Sequence, residues 1–274
     1  MFKPILGLCV ILGASRLLLA LMGQFQRRLH PAPETARKLM HAGMGSILLT
    51  CPLFFTRPWP VLLLGSVFIG LLLARRLVPA LNRHVAHVIY AVDRPSLGEF
   101  YFPISACALF VLARGNPLQF CIPMMLLTYA DAAAALVGMR YGRCTFVTPG
   151  GRKSAEGCTA FFVTALILCA VPLLVQPGAL PPIALLVALN IALLTTFLEA
   201  ASWHGLDNLT VPLAAWLMLR HLPRLTAPEF AIALAAAVAF LLVPALRDRP
   251  HLARTSSPSF ALPRPPLRVE KWLS

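Results

Sequence analysis

Apolar runs long enough to cross a bilayer recur from Pro4 to Leu246, separated by short segments that collect the arginines, lysines and few acidic residues. Read in order, they place spans at 4–23, 40–56, 59–74, 100–114, 118–139, 158–175, 179–198, 209–220 and 228–246. Crossing the hydrocarbon core takes roughly 20 residues, or about 17 when short, so the run at 209–220 is the least complete. Lipid offers no partner to an unpaired backbone group, so each span is expected to be a helix. The pattern predicts an all-α, polytopic transmembrane helix bundle of about nine spans. Lys3 ahead of the first run resembles the flank of a cleaved signal, but Arg16 interrupts the run and no small-residue cleavage site follows, so a retained helix is expected.

A weaker periodicity lies between the third and fourth runs. Val78, Leu81, Val85, Val88 and Val92 recur at helical spacing, with Arg83, His84 and His87 on other faces. This fits a helix lying in the interface, and equally an ordinary amphipathic connector.

Composition agrees with lipid as the solvent: 58% of the 274 residues are hydrophobic and 12% are charged, with a mean hydropathy of +0.77. A net charge of +14 would point to nucleic acid in a soluble protein. Here its distribution marks a topology instead, and no nucleic acid is expected. With the spans above, Arg27, Arg28, Arg37, Lys38, Arg75, Arg76, Arg83, Arg94, Arg140, Arg143, Arg152, Lys153 and the cations of the tail fall on one side. The other side keeps Lys3, Arg57, Arg114, Arg220 and Arg224. The richer side is expected to be cytoplasmic, with the N-terminus outside and the C-terminus inside. Residues 1–246 read as one transmembrane domain. Residues 247–274, with Pro250, Pro258, Pro263, Pro265 and Pro266 among arginines and serines, read as a disordered basic cytoplasmic tail that grazes anionic lipid. The seven cysteines lie mostly within apolar runs and lack zinc or disulfide spacing, so they read as small buried hydrophobes.

Only ten residues are acidic, and Glu34, Asp93, Glu99, Asp131, Glu156, Glu199 and Asp207 all map at or near the cytoplasmic ends of spans. A carboxylate at mid-membrane costs roughly 2.5–3.5 kcal/mol, so it faces a wet cavity, a cation or a partner. Glu34, Lys38 and His41 share a helix stripe, with Arg37 beside it and Gly45 a turn further on; this is either a basic juxtamembrane start or a contact for phosphate. Glu99 sits in Gly98, Phe100, Tyr101, Phe102 and Pro103, a segment that otherwise reads as interfacial anchoring. Asp131, Ala135, Gly138 and Gly142 are spaced by four, three and four residues. Packing explains the glycines but not an aspartate about two turns inside an apolar helix.

The fourth group is Arg152, Lys153, Ser154, Glu156 and Gly157, following Pro149, Gly150 and Gly151. A mobile glycine loop here can carry cations and backbone donors to phosphate oxygens, although a solvated basic turn looks similar and Ser154 can equally be a helix N-cap. The fifth runs from Glu199 through Asp207 and Asn208 to Pro212. Capping a helix needs one of these residues; Glu199, Asp207 and Asn208 together form the hard oxygen set that magnesium uses alongside substrate phosphates.

Taken in order, Arg37, Lys38, His41, Gly98, Glu99, Asp131, Gly138, Gly142, Lys153, Ser154, Glu156, Gly157, Glu199, Asp207, Asn208 and Pro212 resemble the motifs of the polyprenol, dolichol and phytol kinases. That family includes a CTP-dependent diacylglycerol kinase branch and is distantly similar to CTP:phosphatidate cytidylyltransferases. The similarity spans roughly 34–220. It implies that 1–246 is a catalytic domain with a cytosol-facing site, CTP or another nucleoside triphosphate as donor with Mg2+, and an isoprenoid or acylglycerol alcohol as acceptor. Ser154 and Ala155 stand where related kinases often carry a threonine before the glutamate, and the aspartate-rich glycine signature of the cytidylyltransferases is missing.

Phosphoryl transfer asks for alignment and charge neutralisation rather than covalent help. Within the resemblance, Lys153 and Arg152 are expected to hold donor phosphates, with Arg37, Lys38, His41 and Ser154 as further phosphate contacts. Asp131, Asp207 and Asn208 are expected to position magnesium. Glu156 and Glu199 contact its waters or orient Lys153, and Asp131 is also the first choice for the base that takes the alcohol proton. An ion-coupled transporter is the rival reading of buried carboxylates, but their gathering towards one face favours surface chemistry.

Overall fold

The computed structural model describes residues 2–77, 97–148 and 151–222, together with the single residues 229 and 235. The expected ninth span, the tail and the connector at 78–96 lie outside the described residues. The chain begins with α1 (Phe2–Leu29), whose last turn carries Arg27 and Arg28, cations that suit the negative end of a helix dipole. α2 (Pro33–Leu48) has proline in its first turn and Glu34 beside it, both favourable at a helix N-terminus. A turn at Thr50 separates it from the single-turn α3 (Cys51–Phe54), so the run at 40–56 is not one straight helix. The helix starts seven residues before that run, which brings Glu34, Arg37 and Lys38 onto the same rod as His41.

α4 (Trp59–Leu77) and α5 (Gly98–Ala113) follow. α5 stops at Arg114, which takes a left-handed conformation with φ of 49°, and Asn116 caps α6 (Pro117–Met125) by accepting from the Leu118 and Gln119 amides. α6 continues through a π-turn, Leu126–Ala130, into α7 (Asp131–Tyr141). A hairpin of β1 (Thr145–Thr148) and β2 (Gly151–Ser154) comes next, antiparallel with Thr145 opposite Ser154 and Phe146 opposite Lys153. It corrects the all-helical expectation: Arg152 and Lys153 ride on a paired strand, while Pro149 and Gly150 lie outside the described residues. The last described elements are α8 (Ala155–Leu174), α9 (Pro181–Ala201) and α10 (Asp207–His221).

Among the described residues, four stretches are long and apolar enough to cross a membrane: Lys3–Leu29, Pro117–Tyr141, Ala155–Leu174 and Pro181–Ala201. Shorter apolar stretches occupy Trp59–Ala74 and Gly98–Ala113. Pro117–Tyr141 is the most enclosed of the four, with 61% of its apolar window buried, because it stands between two cores. On one side Ile122 and Leu126 pack with Phe161, Ala165, Val187 and Ile191. On the other, Phe120, Met124 and Leu127 pack with Ile11, Val61 and Leu109. Small residues such as Ala165, Ala188 and Ala192 let α8 and α9 approach closely.

Candidate active site

Lys38 and Asp131 join α2 to the central helix. The Lys38 ammonium donates to both Asp131 oxygens at 2.7 Å, and each side chain is 8% exposed. One turn along α2, His41 Nε2 bonds the Leu127 carbonyl at 3.0 Å and stands 3.9 Å from the Asp131 carboxylate, with the Phe102 ring 4.4 Å away between centroids. Gly45 faces the same π-turn, and a Cβ there would lie 2.1 Å from Thr128 Oγ1. The Ser46 and Tyr129 hydroxyls meet at 2.9 Å. Residues 38, 41 and 45 lie three and four apart, so one α2 face supplies all of these contacts.

Asp131 is also where two further helices converge. Carboxylate oxygens of Asp131, of Glu199 in the last turn of α9 and of Asp207 in the first turn of α10 lie within 4.8 Å of one another. Together with Leu127, Phe161, Asn208 and Val211 they line a narrow crevice. Lys153 reaches in from β2, donating to Glu199 Oε1 at 2.6 Å and to the Glu199 main-chain carbonyl. That carbonyl lies in the last turn of α9, where it also accepts from the Ser202 amide at 3.3 Å. The crevice therefore holds three carboxylates with a lysine on each side.

The remaining expected residues take varied places. Asn208 lines the crevice, but its side-chain amide donates to the Gly98 carbonyl at 3.0 Å and its main-chain carbonyl accepts from Ser105 Oγ at 2.6 Å, tying α10 to α5. Neither Asp207 nor Asn208 caps α10 by its side chain; the Ser202 hydroxyl instead accepts from the Asp207 amide at 3.0 Å. Ser154 is buried and is the N-cap of α8, its hydroxyl accepting from Gly157 N–H at 3.1 Å. Glu156 turns back towards the hairpin, where Oε1 accepts from the Arg143 and Cys144 amides at 2.9 and 3.1 Å. It is not among the three grouped carboxylates. Arg152 donates to Thr145 Oγ1 at 2.8 Å across the hairpin.

Gly138, Gly142 and Gly157 form the seam between α7 and α8. A Cβ on Gly142 would sit 2.3 Å from the Gly138 carbonyl oxygen, and one on Gly157 would sit 2.9 Å from that of Ala134. Glu34 and Arg37 pair with each other at 2.5 and 2.9 Å at the mouth of α2. Partial burial works against ionisation of Glu34, but the Arg37 guanidinium outweighs it and holds that carboxyl below its ordinary range. Glu99 pairs with Arg76 of α4 at 2.7 Å, and that guanidinium lies 4.6 Å over the Phe100 ring.

Sequence reading used Arg76 only as a topology marker and overlooked the π-turn. The signal for the turn was Thr128 and Tyr129, polar groups directly before an intramembrane aspartate.

A three-carboxylate group flanked by two lysines suits many anionic substrates, so comparison with known proteins narrows the field. No family model matches the chain, and no solved structure matches it. Phytol kinase from Synechocystis sp. is 31% identical over 201 residues, spanning 72% of this chain and 84% of that protein. With identity at that level over most of both lengths, the chain belongs to the phytol kinase family.

Proposed function

We propose that this protein is a membrane lipid kinase that transfers the terminal phosphate of CTP, or of another nucleoside triphosphate, to a long isoprenoid alcohol such as phytol. The observation that carries this reading is the grouping of Asp131, Glu199 and Asp207 within 4.8 Å, with Lys38 and Lys153 bonded to two of them. Hard carboxylate oxygens at this spacing fit Mg2+, which takes oxygen ligands and retains waters and substrate phosphates. A magnesium ion held by these side chains supplies charge neutralisation at the transferring phosphoryl group.

The protein's own part is binding, alignment and proton transfer. As the triphosphate arrives, Lys38 and Lys153 exchange carboxylate oxygens for phosphate oxygens, with Arg37, Arg152 and His41 at the margin of the same basic mouth. The exchange frees Asp131 to accept the hydroxyl proton. The alcohol oxygen forms its bond to the terminal phosphorus as the bridging P–O bond breaks, and the nucleoside diphosphate leaves. Glu156, Ser154 and the three glycines of the α7–α8 seam hold the hairpin that delivers Lys153. Glu99 with Arg76, and Asn208 with Gly98, fix α5 against α4 and α10.

The site is proposed to face the cytoplasm, the side richer in cations. An acceptor whose chain stays in the bilayer then presents only its hydroxyl, which saves about 0.8 kcal/mol for every methylene not extracted into water. The test is purified protein with terminally labelled CTP or ATP, magnesium and a panel of farnesol, phytol, long polyprenols and diacylglycerol, followed by lipid extraction. A labelled lipid monophosphate is expected. Release of pyrophosphate with a nucleotide-linked lipid would select a cytidylyltransferase, and proton-coupled uptake into vesicles without lipid phosphorylation would select a transporter.

A further inference from the structure

A groove of about 330 Å³ runs between α8 and α9, within the size range of small-molecule sites. Cys158, Thr159 and Phe162 form its α8 wall, and the α9 stripe from Leu193 to Ala200 faces them. Within each helix these positions follow spacings of three and four, so each contributes one continuous stripe. From Leu193 to Ala200 the α9 stripe rises about 10 Å.

No charged group lines the groove, and its two threonine hydroxyls are satisfied internally: Thr159 Oγ1 donates to the Ala155 carbonyl at 2.9 Å and Thr196 Oγ1 to the Ala192 carbonyl at 2.6 Å. The groove runs beside the carboxylate crevice: Phe162 and Ala200 line the groove, while their chain neighbours Phe161 and Glu199 line the crevice. Both walls belong to stretches apolar enough to cross a membrane, with Val163 and Ile167 of α8 and Leu186 of α9 exposed on their outer faces. An apolar trough thus lies beside a polar crevice, the division found in a long-chain alcohol.

We propose that the α8–α9 groove holds the head-proximal part of the acceptor's isoprenoid chain, with the hydroxyl at the Glu199 end. This rests on the lipid-kinase reading and assigns its acceptor subsite. Its place beside the carboxylate crevice argues for a substrate chain over a bulk lipid, which has no need of polar neighbours.

Two measurements test it. In the first, the purified full chain in lipid nanodiscs is photolabelled with a diazirine-bearing twenty-carbon isoprenoid alcohol, without nucleotide, and the labelled peptides are mapped. Label within 158–162 and 193–200 that excess phytol displaces is expected. Displaceable label elsewhere, undisplaced label in the groove, or no specific label overturns the proposal.

In the second, Thr196→Trp narrows the trough, and Ile167→Trp adds the same bulk on an exposed face. The ratio of kcat/KM for phytol over a ten-carbon isoprenoid alcohol is expected to fall about tenfold or more with Thr196→Trp and to keep its wild-type value with Ile167→Trp. An unchanged ratio in Thr196→Trp overturns the subsite assignment while leaving the kinase reading intact. Wild-type protein that phosphorylates no alcohol overturns the kinase reading, and the photolabelling then decides the groove by itself. If Thr196→Trp does not fold, Thr196→Leu tests the same wall.

Discussion

Lys38→Met removes half of a pair in which both side chains are 8% exposed. Two hydrogen bonds of 2.7 Å are lost, and Asp131 keeps His41 Nε2 only at 3.9 Å. An uncompensated charge left in such a place costs about 3–5 kcal/mol. At about 2–4 °C per kcal/mol for a chain of this size, the unfolding midpoint falls by roughly 6–20 °C. Asp131→Leu strands the lysine and is expected to cost a similar amount. The double variant Lys38→Met with Asp131→Leu carries neither charge, so it should be more stable than either single variant and show a large coupling between the two sites. Thermal unfolding of the four proteins in one detergent at one salt concentration measures the cycle. Lipid phosphorylation should stay at least about 100-fold down in all three variants, the size of losing one stabilising group at a reacting phosphate. Additive effects, with each single variant under about 1 kcal/mol as for an exposed pair, would refute the claim that the pair is buried and mutually dependent.

Four further outcomes are expected. Asp207→Asn should leave the fold in place and raise the magnesium concentration for half-maximal turnover by about tenfold or more, read by titrating the metal at fixed nucleotide. Gly142→Ala should lower the unfolding midpoint, because its Cβ would lie 2.3 Å from the Gly138 carbonyl oxygen and 2.9 Å from Ser154 Cβ; overpacking of this kind costs about 1–3 kcal/mol. Gly70→Ala in α4, where nothing lies within 4 Å of the new carbon, should raise stability by about 0.5–1 kcal/mol, read as a higher midpoint. Glu34 and Arg37 are 35% and 42% exposed, so Glu34→Gln should change stability by less than about 1 kcal/mol. Since the folded carboxyl titrates below its ordinary value, that contribution is full above about pH 4.3 and fades as pH falls through the folded value. Wild type and Glu34→Gln midpoints should converge on acidification.

Helices were legible wherever apolar residues ran without interruption, as at 158–175 and 179–198, because only a backbone that bonds itself tolerates lipid. Lys38, Asp131, Lys153, Glu199 and Asp207 were legible for a related reason: charge is scarce in this chain and costly near hydrocarbon, so each ionisable group there needs a partner. Partner identity was not legible. Lys153 and Glu199 are 46 residues apart and Lys38 and Asp131 are 93 apart, separations set by how helices cross rather than by local spacing. The hairpin escaped for the opposite reason. Thr145–Thr148 and Gly151–Ser154 are four-residue strands, too short for an alternating pattern to stand out beside a glycine pair. Glu156, placed with the catalytic groups by its position in a motif, turns back to two amides at the hairpin base, a direction that no spacing rule encodes.

The polar group also sits where regular helix stops, and the two facts share a cause. Asp131 follows directly on the π-turn, its amide bonding the Leu126 carbonyl five residues back, and the Leu127 carbonyl is bonded by His41. Glu199 lies in the final turn of α9 and Asp207 opens α10, so each brings its carboxylate to a helix end, where backbone groups are satisfied from outside the regular ladder, as the Asp207 amide is by the Ser202 hydroxyl. Lys153 joins the Ser202 amide on the Glu199 carbonyl and also bonds that residue's side chain. Irregular backbone at such depth is stable only where protein or a wet cavity satisfies it, and charged side chains need the same surroundings. One enclosed crevice meets both demands. A substitution that restores regular geometry at 126–130 would turn Asp131 away from Lys38, and should therefore abolish lipid phosphorylation without altering any of the five charged groups.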